Sequence, residues 1–573
     1  MSKNLFPQDE MFINCFYTFG NKAEERPDSI IIVSKDMNGE KHLTYIEKPE
    51  FSFYVTKDIV KQDGKYLDYI PLDECKKVTC RYNNKYYHMA KATTNKEAKN
   101  YYKRCIDDKH YKKLREMDYL FPEFHSSDVN IEDYYIKEFL NQNNYEKCNF
   151  GIDISVFDIE CDIADYDGFP DENIAPCPVN MITLFNMKTN TLYLFFQKYD
   201  TETFEEFRVK NGKRTIKEIR EEYQKHFGDF KIILDACDDE FTLIKDFFDR
   251  INEDKSDYVL AWNSRFDYLT LYNRLKWLLA GSNIFPEDIM CPKDFPIKDV
   301  YFKLDESPES QNDFSSRFDT FKIYGWSIWM DMMCLYANIT RPNGKKDSYS
   351  LDAIGEEETG MTKEDLSEDG TNIKTACYDN YTKFFKYSAV DSLLLALIVK
   401  KTGFVELLHM IVMMTRTRPI KALKKTVCLR NFAEFFYNMN GYSISNNHSY
   451  LTPQNEGIAG AFVAKYDLVE KISEINGIPT NKIFELLIDM DLTALYPSIT
   501  QAYNISPSTL KYKIKYEDYS SIKTDGGGTI SGMFNLTDSF MEKYISDDVI
   551  TYCNKYHNLP DVEEMYKLLS ERL

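Results

Sequence analysis

Phe157-Asp158-Ile159-Glu160 alternates apolar and acidic residues. On a strand, period two puts Asp158 and Glu160 on one face and Phe157 and Ile159 on the other. Carboxylate oxygens paired in this way can hold hard divalent cations, which take oxygen ligands. Asp267 could join them. It follows the apolar run Tyr258-Val259-Leu260-Ala261-Trp262 and Asn263, at the start of a predicted helix carrying Leu269, Leu271, Leu275 and Leu278. Tyr387 and Asp391 stand four apart, on one face of a helix, where a phenol could orient a water beside a metal-holding carboxylate. Each piece also has a plain structural reading. D-x-E is a common surface pair in a chain with 92 acidic residues, an aspartate favours a helix start through the macrodipole, and a Tyr–Asp helix pair is ordinary packing.

A second acidic position lies far downstream. The runs Ile483-Phe484 and Leu486-Leu487-Ile488 read as a buried strand that delivers Asp491 at its end. Tyr496-Pro497 then turns the chain into a predicted helix. Asp489 stands two residues before Asp491 and reads as a local variation.

The elements that must position these groups follow from pattern. Ser29-Ile30-Ile31-Ile32-Val33, the turn Met37-Asn38-Gly39-Glu40 and His42-Leu43-Thr44-Tyr45-Ile46 predict a hairpin, with a further strand at Phe51–Val55. A new strand-rich region opens at Ile152, and Leu393–Val399 reads as a buried helix segment. Domains are expected at 1–150, 151–400, 401–456 and 457–573. The length of 573 residues suits several cores, and 43% hydrophobic with 15% aromatic residues argues against wholesale disorder.

The net charge of −21 is not that of a dedicated nucleic-acid binder, yet phosphate contacts need only a local basic surface. Lys400–Arg430 is such a stretch: Lys401, Arg416, Arg418, Lys421, Lys424 and Lys425 stand against the lone acid Glu406. It reads as a phosphate-tracking surface or as one exposed helical face. The interleaved Arg81, Lys85, Tyr86, Tyr87 and Lys91 read as a solvated face. Thirteen dispersed cysteines, with no C-x-x-C pair, suggest reduced thiols and an intracellular setting. The start lacks a signal peptide's apolar core, and no apolar run approaches a membrane span.

In order, D-x-E on a strand, N-x-x-F-D and Y-x-x-x-D on a helix resemble the three exonuclease motifs of the DEDDy type. Asp491-Leu492-Thr493-Ala494-Leu495-Tyr496-Pro497-Ser498-Ile499 resembles the first polymerase motif of family B DNA polymerases. Ser348-Tyr349-Ser350-Leu351-Asp352, Gly460-Ala461-Phe462-Val463 and Asn504-Ile505-Ser506-Pro507 are similar to phrases of the T-even phage type. The resemblance runs from about Asp158 to Pro507, and more loosely to the N-terminus.

The resemblance implies an α/β multidomain chain: a mixed N-terminal domain, a ribonuclease-H-like 3′–5′ exonuclease, a helical return at 401–456 and an incomplete α/β palm. Asp158, Glu160, Asp267 and Asp391 would hold two divalent ions, by default magnesium, around the scissile phosphate of a single-stranded 3′ end. Tyr387 would position the attacking water, and Phe266 would lie near the terminal nucleotide or in the core. Asp491 and the Leu492 carbonyl would bind metal at the polymerase site. Amides near Ala494 and Leu495 would meet a deoxynucleotide triphosphate, and Tyr496 would lie under its sugar.

No Lys…Asn-Ser-x-Tyr-Gly and no Tyr-x-Asp-Thr-Asp segment follows, so a second polypeptide is expected to complete palm and fingers on primer–template DNA. The setting would be the cytoplasm, that of an infected host for a phage-encoded chain. The alternatives are a free-standing 3′–5′ exonuclease and a non-catalytic DNA-binding or assembly subunit.

Overall fold

The computed structural model describes residues 5–20, 25–56, 61–62, 65–66, 69–81, 124–126, 130–143, 151–308, 310, 313–366 and 370–445, with 498, 501 and 502. The chain is mixed α/β and divides into two compact units, Met1–Gly457 and Ile458–Leu573. The described strands and sheets lie in the first.

The Ile-rich run forms the centre of a small antiparallel sheet. Strand β1 (Met11–Thr18) pairs with β2 (Ser29–Lys35), which pairs in turn with β3 (Lys41–Glu47). The predicted hairpin is β2–β3. Its turn is closed by Asp36 Oδ1, which accepts from the Asn38 and Glu40 amides at 2.9 Å, and Gly39 supplies a φ of +86°. Strand β4 (Glu50–Thr56) joins a different sheet. The two-residue strands β5 (Lys61–Gln62) and β6 (Lys65–Tyr66) pair with each other, and β7 (Tyr69–Pro71) follows. Strands β8 (Cys75–Arg81) and β9 (Phe124–His125) flank β4, and helix α1 (Ile131–Gln142) packs its Ile136 and Phe139 into the core.

The larger sheet holds the acidic strand. Strands β10 (Ile154–Cys161), β11 (Val179–Asn186) and β12 (Thr191–Gln197) form an antiparallel meander. Helix α2 (Gly212–Phe227) leads to β13 (Lys231–Cys237), which lies parallel to β12. Helix α3 (Glu240–Asp254) then crosses to β14 (Tyr258–Ala261), parallel to β10, and helix α4 (Ser264–Leu278) follows. A short antiparallel pair, β15 (Val300–Lys303) and β16 (Thr320–Ile323), precedes β17 (Ile328–Asp331), the last strand of the sheet. The order is β13-β12-β11-β10-β14-β17, with β11 alone reversed. The near-continuous burial of β11 and β14 fits a sheet covered on both faces.

Helix α5 (Met332–Thr340) starts at Asp331, whose side chain accepts from the Cys334 amide at 2.8 Å. Helix α6 (Leu351–Thr359) is capped by Ser350, so part of the Ser348–Asp352 phrase is a helix start. The Leu393–Val399 run lies in the 22-residue helix α7 (Tyr381–Thr402), buried along most of its length. Gly403, with φ of +62°, ends it, and α8 (Phe404–Thr415) and α9 (Lys425–Met439) follow. Strand β18 (Tyr442–Ile444) then pairs with β7, returning the chain to the sequence-early strands.

Candidate active site

The register of β10 explains why its acids are available. Ile154–Val156 pair with β14, and the parallel pairing ends there, before Asp158. The carboxyl end of β10, between an antiparallel and a parallel neighbour, is where open α/β sheets leave a crevice. Phe157 and Ile159 turn inward and are buried, while Asp158 and Glu160 face the other way and are half-buried. A bulge between Glu160 and Cys161 ends the regular register.

Helix α7 brings its own acid across. Thr183 of β11 hydrogen-bonds the Ser388 carbonyl and Ser392 Oγ, which pins the small-residue face of α7 to the sheet. One carboxylate oxygen each from Asp158, Glu160 and Asp391 then lie within 4.8 Å of one another. Asp267, in the first turn of α4, is buried and feels the like charges of Asp158, Asp331 and Glu160 without entering that tight group. Tyr387 stands one turn before Asp391 on α7, and its hydroxyl accepts from the Lys363 ammonium that also pairs with Asp391.

These acids disfavour their own ionisation. Burial and the neighbouring carboxylates raise the pKa of Asp158, Glu160 and Asp267, and burial raises Asp391 against the pull of Lys363. Burial, with Glu160 and Asp391, also pushes the Tyr387 phenol up. Asp391 Oδ1 is buried without a hydrogen-bond donor among the described residues. Hard oxygen donors, mutual repulsion and an orphaned carboxylate oxygen together fit divalent cations.

Lys363 was not singled out by the sequence. Its Nζ donates to Asp391 Oδ2 at 2.5 Å and to the Tyr387 hydroxyl at 3.2 Å. Burial alone would lower its pKa, but Asp391, Tyr387 and Asp158 outweigh that and raise it. Its amide donates to Asp352 Oδ1 at 2.8 Å, so the Ser348–Asp352 phrase also anchors the loop that carries Lys363. Lone lysines carry no spacing signal. Asp331 was missed as well: burial raises its pKa to about 6, but its cap on α5 gives it a structural task.

Two predicted features change character. Arg418 of the basic stretch is half-buried, donating to Asp133 and Glu132 of α1 at 3.0 Å, and Arg416 is buried over the Phe435 ring at 3.2 Å. Those two cations tie the fold together and do not present to a phosphate backbone; Lys401 and Lys425 are exposed. Phe266 is half-buried with its ring 4.8 Å from that of Phe169.

No protein-family model matches the chain. Its sequence is 24% identical over 459 residues to the DNA-directed DNA polymerase of Escherichia phage RB69, covering 78% of this chain and 46% of that relative. It is 23% identical over 367 residues to the DNA-directed DNA polymerase of Enterobacteria phage T4, covering 62% of this chain and 36% of the relative. The chain is related to T4-type phage DNA polymerases. It covers less than half the length of either curated relative. The described cysteines are free, and no helix among the described residues is long and apolar enough to cross a membrane. Asp491, Leu492, Ala494, Leu495 and Tyr496 lie outside the described residues, as do Lys85, Tyr86, Tyr87 and Lys91.

Proposed function

We propose that the chain is the amino-terminal portion of a family B DNA-directed DNA polymerase, and that the carboxylate cluster is its 3′–5′ proofreading exonuclease. The observation that carries this reading is the convergence of Asp158 and Glu160 of the first motif with Asp391 of the third, in the expected order, at the carboxyl end of β10. A sheet with one reversed strand, covered by α7, supports a ribonuclease-H-like domain.

Asp158, Glu160, Asp391 and Asp267 would hold two divalent metal ions, magnesium by default. The chemistry such ions supply is activation of a water and stabilisation of the departing 3′ oxygen. The rest falls to the protein. Tyr387 presents its hydroxyl beside Asp391 to orient that water, and Lys363 keeps Asp391 ionised while placing positive charge at the phosphate. A single-stranded 3′ terminus would enter at this end of the sheet, with Phe266 next to Asp267 in the chain.

The polymerase part rests on sequence: Asp491 and the Leu492 carbonyl as metal ligands, amides near Ala494 and Leu495 for the triphosphate, Tyr496 beneath the deoxynucleotide sugar. The remaining polymerase motifs have no match in these 573 residues. A second polypeptide supplying them is the arrangement to test, in the cytoplasm of a host cell.

The decisive experiment incubates the chain with magnesium and a 5′-labelled primer–template, with and without deoxynucleotides, beside the double variant Asp158→Ala, Glu160→Ala. Shortening by the parent alone supports the exonuclease. Extension by the variant shows a complete polymerase site in this chain, and inactivity of both favours a DNA-binding or assembly subunit.

A further inference from the structure

Strand β13 is an open edge. It pairs with β12 on one side and ends the sheet on the other. The Lys231 amide donates to the Asn190 carbonyl and the Cys237 carbonyl accepts from the Lys198 amide, so odd-numbered residues point their backbone groups at β12. By the alternation of a strand, the amides and carbonyls of Ile232, Leu234 and Ala236 point outward. Seven residues of straight edge with Ile233 44% and Leu234 39% exposed carry none of the usual protection by proline or a bulge.

Beside this edge lies an apolar cavity of about 680 Å³. Phe196, Phe204, Phe207, Ile216, Leu234 and Ala236 line it, between the sheet and α2. Leu234 and Ala236 therefore offer outward backbone groups and a side-chain pocket on the same residues. The opposite face is acidic. Asp235 and Asp246 of α3 each place a carboxylate oxygen within 4.8 Å of the other and of Cys237 Sγ. Asp239 adds further negative charge near Cys237. Of the cations on this side, Lys198 pairs with Asp238, Lys245 with Asp246 and Asp249, and Arg250 with Glu253 and Asp254, while Lys231 shares the strand face of Asp235 at the other end of β13.

We propose that the β13 edge binds an extended peptide of a partner protein in which apolar and basic residues alternate. Only an extended backbone satisfies three outward amide–carbonyl sets at strand spacing, the mode of β-strand addition. Period two then sends alternate side chains to the two faces: apolar ones to the aromatic cavity, basic ones to Asp235 and Asp246. A second copy of this chain is a poorer occupant, because its own β13 would bring the same acids to the same face. The surface uses none of the carboxylates of the exonuclease reading and stands whether or not that reading does.

The test uses the full chain and a fluorescein-labelled, end-capped nonapeptide alternating lysine with valine and phenylalanine. Its control has the same composition with the lysines in one block. Expected are saturable anisotropy, at least tenfold weaker binding of the block peptide, and hydrogen-exchange protection at Ile232, Leu234 and Ala236 on binding. Ala236→Pro removes an outward amide without touching the inward ladder and should weaken binding at least tenfold, as should Asp235→Lys. If Ala236→Pro fails to fold by circular dichroism, Asp246→Lys, on α3 and outside the ladder, carries the test. Equal binding of the two peptides, protection elsewhere, or unchanged affinity in folded variants overturns the proposal. So does a dimer in sedimentation that Asp235→Lys strengthens, which would give the edge to a second copy.

Discussion

Lys363 Nζ lies 2.5 Å from Asp391 Oδ2 and 3.2 Å from the Tyr387 hydroxyl, so one ammonium bridges the proposed metal-holding and water-orienting residues of α7. It is also a cation that lowers the pKa of Asp158, Glu160 and Asp391 against burial. Lys363→Ala should cut the exonuclease rate about 100-fold, the scale for removing one preorganised positive group. The sign of the pH effect is fixed: with the cation gone the acids become weaker, and the acid limb of the pH–rate profile moves to higher pH. Lys363→Arg should restore part of both. An unchanged acid limb in the alanine variant would assign Lys363 a purely structural role.

Asp158 gives a prediction that needs no substrate. Burial and Asp391 hold its folded-state pKa above the ordinary value. The fold therefore binds a proton more readily than the unfolded chain, and stability is lost as pH rises through that raised pKa. In chelator at pH 8, Asp158→Asn should melt above the parent, by roughly 1 °C for each kcal/mol of repulsion relieved in a unit of this size. Magnesium should raise the parent's melting temperature and raise the variant's less. A variant that melts lower in chelator would show that the Asp158 charge is satisfied by the protein itself.

What was legible in the sequence was local periodicity. Period two set Asp158 and Glu160 on one side of β10, and a spacing of four set Tyr387 over Asp391 on α7. The β2–β3 hairpin followed from an Ile run and a glycine turn. What was not legible depended on partners distant in sequence. Arg418 read as part of a basic face because its partners Glu132 and Asp133 lie almost 300 residues earlier. Lys363 was silent for the same reason, since a single lysine acquires meaning only when α6 and α7 pack. The open edge of β13 is likewise a property of sheet order, which pattern along the chain does not encode.

Gly355 tests that packing. A Cβ built there would lie 2.8 Å from Leu394 Cδ2 on α7 and 2.9 Å from the Met361 carbonyl, two residues before Lys363. The side-chain end can shift, but the backbone carbonyl moves only by dragging the Lys363 loop. Gly355→Ala should cost about 1–3 kcal/mol, the range for overpacking a filled core. It should lower the exonuclease kcat more than it alters KM, because the displaced group is Lys363 and not a strand-binding surface. Equal stability with lost activity would leave the loop, rather than the helix contact, as the cause; unchanged kcat would separate α6 packing from the site altogether.

His409 sets the acid stability of the same unit. It is buried between β1 and β14, and its Nε2 faces the Phe12 carbonyl at 3.0 Å. A carbonyl only accepts, so Nε2 carries the proton and Nδ1 accepts from the Tyr258 hydroxyl at 3.0 Å. Burial, with Lys35 and Lys41 nearby, lowers its pKa to about 4 despite Asp257. Below about pH 6.5 the unfolded chain takes up a proton that the fold refuses, so stability falls with pH down to about 4, by about 3 kcal/mol at most. His409→Leu should be less stable at pH 7.5 by about 2 kcal/mol, because it strands a buried carbonyl and a buried hydroxyl. It should also lose this part of the acid sensitivity. Thermal midpoints of parent and variant, measured from pH 7.5 to 4.5, should therefore converge as the pH falls; a constant gap would mean that the imidazole titrates alike in the folded and unfolded chains.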